Sequence, residues 1–207
     1  MYLSRVAIDT KKYDTMKALY NMQIFHGMVE KSFSGERQRK LWRLDTLGGT
    51  DYLLLLSDTP PENETLPNQI GFEYSCWETK AYDKLLTSIK KGSKWRFRLT
   101  ANPTVSIMRE GKQRGKVKAI TIAEKQREWL KSQGIKRGFF IENDSFDVVK
   151  SEWKTFKKER TEINILGATF EGILTVIDEE LFIQTLKTGI GREKAYGMGL
   201  LTVIPYV

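Results

Sequence analysis

Trp95-Arg96-Phe97-Arg98-Leu99-Thr100 alternates apolar and polar side chains, the two-residue period of a strand with one face in a core and the other toward water. It stands in mid-chain just after Lys90-Lys91-Gly92-Ser93, a connector-like stretch, and therefore opens a second folding unit. Forward from it, Ile122, Trp129 and Leu130 mark a helix that stops near Gly134, where a residue without Cβ takes the left-handed end conformation. Gly138 to Glu142 and Phe170 to Ile177 read as strands. Asp178 opens a helix containing Leu181, Phe182 and Leu186, and Gly199 to Tyr206 closes the chain as a strand.

The same order lies upstream. Met1 to Ile8 is strand-like, and residues 13 to about 31 form one helix because Ala18, Met22, Phe25 and Val29 recur at spacings of three and four. Leu41 to Leu44 and Tyr52 to Ser57 are strands flanking Gly48-Gly49, which supply the positive φ angles of a hairpin turn. Asp58 to Asn68 is a loop or short helix, and Ile70 to Trp77 is extended. Two successive βαββαβ units predict an α+β protein of two tandem ferredoxin-like domains, residues 1–88 and 89–207, each a four-stranded antiparallel sheet covered by two helices.

Composition narrows the partners. Hydrophobic residues make up 40% and charged residues 29%, a globular balance. No apolar run reaches the roughly 18 residues of a membrane helix, so no membrane partner is expected. Thirty-four Lys and Arg against 26 Asp and Glu give a net charge of +8, which favours an anionic partner such as nucleic acid but also describes an ordinary basic surface. The single Cys76 excludes an internal disulfide and a cysteine-based zinc site, and no export signal precedes the first strand, so a cytoplasmic protein is expected.

Four features carry chemistry. Gly189-Ile190-Gly191-Arg192-Glu193-Lys194-Ala195-Tyr196-Gly197-Met198-Gly199 has the glycines and cations of a phosphate cradle, yet it lies after a helix and before a strand, the reverse of a nucleotide loop. Its glycines allow close backbone approach to a ligand, with Arg192 and Lys194 available to RNA phosphates; a tight closing turn is the other reading. Lys150, Lys154, Lys157, Lys158 and Arg160, interleaved with Trp153 and Phe156, suit a hairpin arm against an A-form stem, or else a solvated charged face. Arg109, Lys112, Arg114, Lys116 and Lys118 make a third basic patch, a clamp or a surface turn.

The fourth feature is His26, the only histidine, on the flank of the first helix with Gln23 one turn before it and Glu30 one turn after. Its titration range suits proton transfer, although a lone helical histidine is also a common structural residue. The acidic clusters Glu142-Asn143-Asp144 and Asp178-Glu179-Glu180 match no metal-ligand spacing. No metal and no cofactor is therefore expected, and RNA supplies its own nucleophile in the 2′-hydroxyl.

Five stretches together resemble the CRISPR-repeat RNA endonuclease of the E-type Cascade complex, the CasE family. These are Met1 to Val6, Phe25-His26 through Leu41-Trp42-Arg43-Leu44, Phe97-Arg98-Leu99-Thr100-Ala101-Asn102-Pro103-Thr104, Gly167 to Val176, and Gly189 to Leu201. They fall in the family's order across nearly the whole chain. The resemblance implies a metal-independent cut at the 3′ base of the repeat hairpin that leaves a 2′,3′-cyclic phosphate and a 5′-hydroxyl. It also implies that the product RNA is kept and that other Cascade subunits are partners. By the same resemblance His26 is catalytic, and Lys154, Lys157, Lys158, Arg160, Gly189, Gly191, Arg192 and Lys194 bind RNA. Two positions depart from the pattern: Gln23 stands where the family carries a tyrosine, and Gly27 where it carries a basic residue. Gln23 cannot donate a proton of comparable acidity, which leaves the second catalytic role open to a lysine or arginine from another segment.

The alternative is a subunit that binds a hairpin without cutting it. Arg137-Gly138-Phe139-Phe140-Ile141 begins like an aromatic RNA-reading strand but fails that pattern at Phe140 and Ile141.

Overall fold

The computed structural model describes residues 1–34, 38–62, 64–108 and 115–206. Its first part runs β1 (Tyr2–Ala7), α1 (Tyr13–Tyr20), α2 (Met22–Lys31), β2 (Lys40–Leu47), β3 (Thr50–Ser57), α3 (Thr65–Ile70) and β4 (Glu78–Ala81). The sheet order is β2-β3-β1-β4, with every pairing antiparallel. A short helix, α4 (Asp83–Ser88), leads to β5 (Lys94–Ala101), the paired strands β6 (Thr104–Ile107) and β7 (Lys116–Ala119), α5 (Ala123–Ile135) and β8 (Phe139–Phe140). Then come the long hairpin β9 (Phe146–Lys158) and β10 (Thr161–Val176), α6 (Glu179–Thr188), a 3-10 turn (Lys194–Tyr196) and β11 (Leu201–Pro205). The second sheet is ordered β11-β5-β10-β8, with β9 also on β10. Both sheets have the ferredoxin-like strand order, so the fold is two such units in tandem.

The strand that opens the second unit behaves as its alternation requires. Trp95, Phe97, Leu99 and Ala101 are buried, and β5 is flanked by β10 on one side and β11 on the other. The predicted first helix differs in one respect: it is broken at Asn21, whose backbone leaves the helical region and whose side chain accepts the Gln23 N–H. An asparagine that offers a local alternative to the helical ladder interrupts and restarts it. The apolar stripe survives the break, since Ala18, Met22, Phe25 and Val29 are all buried.

Four other boundaries move. Residues 70–77 are not a strand: Ile70 ends α3, Gly71 makes an isolated bridge to Ile8, and the pairing strand is 78–81. All four side chains of that strand are exposed, so no apolar period marks it. Gly134 lies inside α5 rather than at a left-handed end. A Cβ there would come 2.8 Å from the Phe139 carbonyl oxygen, so glycine serves close packing, and the positive φ falls at Gly138, +82°. The expected strand from Gly138 to Glu142 shortens to Phe139–Phe140, whereas β10 begins at Thr161, nine residues before the predicted Phe170.

The two units share their cores. The cluster around the second sheet takes Leu41, Leu54, Leu56 and Tyr82 from the first unit. The cluster under the first sheet takes Phe156, Ile165, Tyr196 and Met198 from the second. Burying a large apolar side chain contributes about 1.5–3 kcal/mol, so this exchange fixes one unit against the other and sets the geometry of anything built between them. No helix among the described residues is long and apolar enough to cross a membrane.

Candidate active site

The site is assembled where α2, the start of β2 and the glycine-rich loop meet. On α2, the His26 side chain keeps 21% exposure, and its Nδ1 lies 4.0 Å from Glu30 Oε1 one turn later. Glu30 offers its other oxygen to Lys40, whose Nζ donates to Oε2 at 3.0 Å. Lys40 heads β2 with its side chain 4% exposed and its ammonium 4.8 Å from the Phe33 ring centre. The histidine thus faces a carboxylate that is itself held by a cation.

The glycine-rich loop comes in from the other unit. Gly197, at φ +77°, leaves room for the Trp42 ring, which a Cβ would approach to 2.8 Å. Gly199 donates its N–H to the Thr100 carbonyl at 2.7 Å and accepts from Ile190 N–H at 2.9 Å, and Gly189 N–H bonds the Thr185 carbonyl. The Gly199 and Ile190 amides are used to close the neck of the loop and the Gly189 amide to end α6, so these three are not left open for phosphate. Between the pinned ends the chain makes its 3-10 turn, which sets the Tyr196 ring edge-on to His26 at 6.4 Å. Tyr196 also packs on Phe156 at 4.7 Å and donates its hydroxyl to Gln23 Oε1 at 3.3 Å.

Lys194, two residues earlier, donates to the Thr188 carbonyl at 2.7 Å. Burial lowers its pKa below that of an ordinary lysine, and repulsion from Arg39 and Arg137 lowers it further. His26, Glu30, Arg39, Lys40 and Lys194 line one open pocket of about 310 Å³. A histidine that shares an open pocket with three cations is chemically suited to a phosphate that gains negative charge during reaction.

The remaining sequence candidates lie elsewhere. Gly191 and Arg192 line a separate opening with Thr104, Trp129, Gln133 and Arg137. Lys157, Lys158 and Arg160 are exposed at the end of the β9–β10 hairpin, which returns to the first unit where Asn21 Nδ2 donates to the Lys157 carbonyl at 3.3 Å. Lys154 is turned inward instead, into a cleft with Tyr20, Asp45, Lys150 and Trp153, and burial lowers its pKa. The basic stretch is therefore not one face, because alternate residues of a strand point to opposite sides. Of the third patch, Arg109, Lys112 and Arg114 lie outside the described residues, and Lys116 and Lys118 are exposed on β7.

Arg39, Lys40 and Tyr196 are not among the sequence candidates. The visible signal for the first two is the run Arg37-Gln38-Arg39-Lys40 just ahead of an apolar strand. Among the described residues, no three or more His, Cys, Asp or Glu gather as a metal would require.

Two tandem ferredoxin-like units with a basic, histidine-bearing pocket at their junction define the class of this protein. The sequence profile of the family described as CRISPR associated protein matches residues 1–205. The CRISPR-associated endoribonuclease Cse3 of Thermus thermophilus is 30% identical over 219 residues, covering 99% of this chain and 100% of that protein. CRISPR endoribonuclease Cse3 bound to 19 nt RNA superposes with a TM-score of 0.84 at 25% identity, over 99% of this chain and 100% of that one. Thermus thermophilus Cse3 bound to an RNA representing a pre-cleavage complex gives 0.82 at 25% identity, over 99% and 98%. This chain belongs to the CRISPR associated protein family, in the CasE group that includes Cse3.

Proposed function

We propose that this chain is the endoribonuclease that cuts CRISPR repeat RNA once at the 3′ base of its hairpin, without a metal ion. The observation that carries this reading is the convergence of His26 from the first unit and Lys194 from the second on one pocket. The 2′-oxygen of the ribose attacks the adjacent phosphorus, and the bond from phosphorus to the 5′-oxygen breaks. The 2′-hydroxyl proton goes to a base, and the leaving 5′-oxygen takes a proton from an acid. His26 performs one of these transfers. Arg39, Lys40 and Lys194 offset the charge of the pentacoordinate phosphorane, the work a metal would otherwise do. The products are a 2′,3′-cyclic phosphate and a 5′-hydroxyl.

The division of labour follows the two units. Residues 1–88 carry the histidine; residues 89–207 carry the loop with Lys194 and the basic hairpin that holds the stem. Lys157, Lys158 and Arg160 at its tip contact backbone phosphates, and Arg192 beside Gly191 and Trp129 makes a second contact on the far side of the loop. The protein works in the cytoplasm, keeps the cut RNA and passes it to the other subunits of a Cascade-type complex.

Product analysis tests this reading. A repeat hairpin incubated with the protein in excess chelator should be cut once and end in a cyclic phosphate. Cleavage that needs added magnesium would overturn the metal-free route. An intact, tightly bound hairpin under both conditions would favour a non-cutting subunit, the reading that Gln23 in place of a tyrosine supports. Replacing Lys157, Lys158 and Arg160 together by alanine should weaken hairpin binding for every sequence alike. It should also flatten the salt dependence by about 2–3 in the log–log slope, since each phosphate contact contributes about 0.9; an unchanged slope would remove the hairpin tip from the interface.

A further inference from the structure

Arg43, in the middle of β2, is almost wholly buried, with its side chain 2% exposed, and all five of its N–H donors are taken. Nε and Nη2 make a forked pair with Asp45, at 2.8 and 2.6 Å. Nη1 crosses to the second unit and donates to the Arg98 carbonyl at 2.9 Å and the Leu200 carbonyl at 2.7 Å, while Nη2 also reaches Thr202 Oγ1 at 2.8 Å. Asp45 in turn lies 3.2 Å from Arg98 Nε, and Arg98 Nη1 lies 2.5 Å from Glu171. One guanidinium of the first sheet therefore ties β5 and the start of β11 of the second.

The placement of those acceptors matters more than their number. Leu200 directly follows Gly199, which closes the neck of the glycine-rich loop, and the residue before Arg43 is Trp42, against which Gly197 packs. Adjacent residues of β2 thus hold the loop at positions 197 and 200. The turn they pin carries Lys194 and Tyr196 to His26. A lysine at position 43 keeps the charge but has no planar fork, so it cannot hold Asp45 and both carbonyls together.

We infer that Arg43 is a positioning residue for RNA cleavage: its fork from β2 to the Leu200 carbonyl sets the glycine-rich loop in register with His26. The inference rests on the endonuclease reading above. It goes further in giving a catalytic consequence to a buried ion pair that touches no substrate, and it explains why loop and histidine, which belong to different units, keep a fixed relation.

The test is single-turnover cleavage of the repeat hairpin at saturating protein, so that only bound RNA is scored. Arg43→Lys should slow cutting by about 100-fold, the effect of moving a catalytic group by about 1 Å, with hairpin affinity within about threefold of wild type. A second variant separates positioning from stability. Replacing Arg43 by methionine and Asp45 by leucine removes both buried charges at once, so neither is left unpaired, and Arg98 keeps Glu171. That double variant should melt below wild type, since the Arg98 and Leu200 carbonyls lose their donor, but assayed well below its melting temperature it should still cut as slowly as Arg43→Lys, because nothing then holds the Leu200 carbonyl. Wild-type cutting by either folded variant would overturn the inference. Wild-type protein that leaves the same hairpin uncut would instead overturn the endonuclease reading itself.

Discussion

His26→Ala loses about 10²–10⁴-fold in the single-turnover rate of hairpin cleavage, the range expected when a positioned acid or base is removed, and keeps hairpin affinity. The asymmetry follows from the geometry. His26 contributes one partly exposed ring to the pocket, whereas the proposed stem contacts are the cations on the β9–β10 hairpin and beside Gly191. Removing the ring leaves Glu30 with its Lys40 partner at 3.0 Å, so no buried charge is orphaned and the fold should not suffer. Glu30 alone does not replace the histidine, because the Lys40 ammonium already occupies one of its oxygens. The measurement is a cleavage time course with a filter-binding titration on the same preparation. Undiminished cutting by His26→Ala would remove it from the chemistry; loss of cutting and binding together would make it a structural histidine.

The fold is legible in the sequence where burial is one-sided. Strand β5 and the stripe Ala18, Met22, Phe25 and Val29 each put apolar residues on a single face, and period then reports secondary structure directly. Strand β4 escapes such a reading because its four side chains are all exposed, and a strand held to β1 by backbone pairing and by the polar contacts Ser4–Thr79 and Arg5–Glu78 has no apolar period to read. The break at Asn21 is hidden for the opposite reason: the stripe continues across it unchanged.

The site is legible only in part, and the missing part is what tertiary packing supplies. His26 is marked by being the only histidine, and the loop by its glycines. Nothing in local spacing says that Gly197 is small so that Trp42 can pack against it, or that Tyr196 thereby arrives beside Gln23 and His26. The family's tyrosine is absent from α2, yet a tyrosine hydroxyl does reach Gln23 from the other unit. It is buried and donates to the amide oxygen, which suits holding α2 against the loop more than touching RNA.

Lys194→Met should lower the cleavage rate by about 10²–10³-fold, the cost of losing one donor that stabilises developing charge, with a smaller effect on hairpin affinity. Methionine keeps much of the length and apolar stem of the side chain, so the packing of the turn is retained while the charge is lost. Among the described residues the Thr188 carbonyl loses its lysine partner, and it is part-buried at the end of α6, where water can replace it. The pH dependence gives a second readout. Burial, with Arg39 and Arg137 nearby, holds the Lys194 pKa below the ordinary lysine range. The charged form is the one that offsets phosphorane charge, so it is lost as pH rises through that lowered value, and the wild-type rate should fall on the alkaline side earlier than for a solvent-exposed lysine. Lys194→Arg, which stays protonated throughout, should remove that alkaline fall even if its longer head group lowers the plateau. An alkaline limb that is the same in wild type and Lys194→Arg would mean that the titrating group is not Lys194, and the charge opposite His26 would then have to come from Arg39 or Lys40.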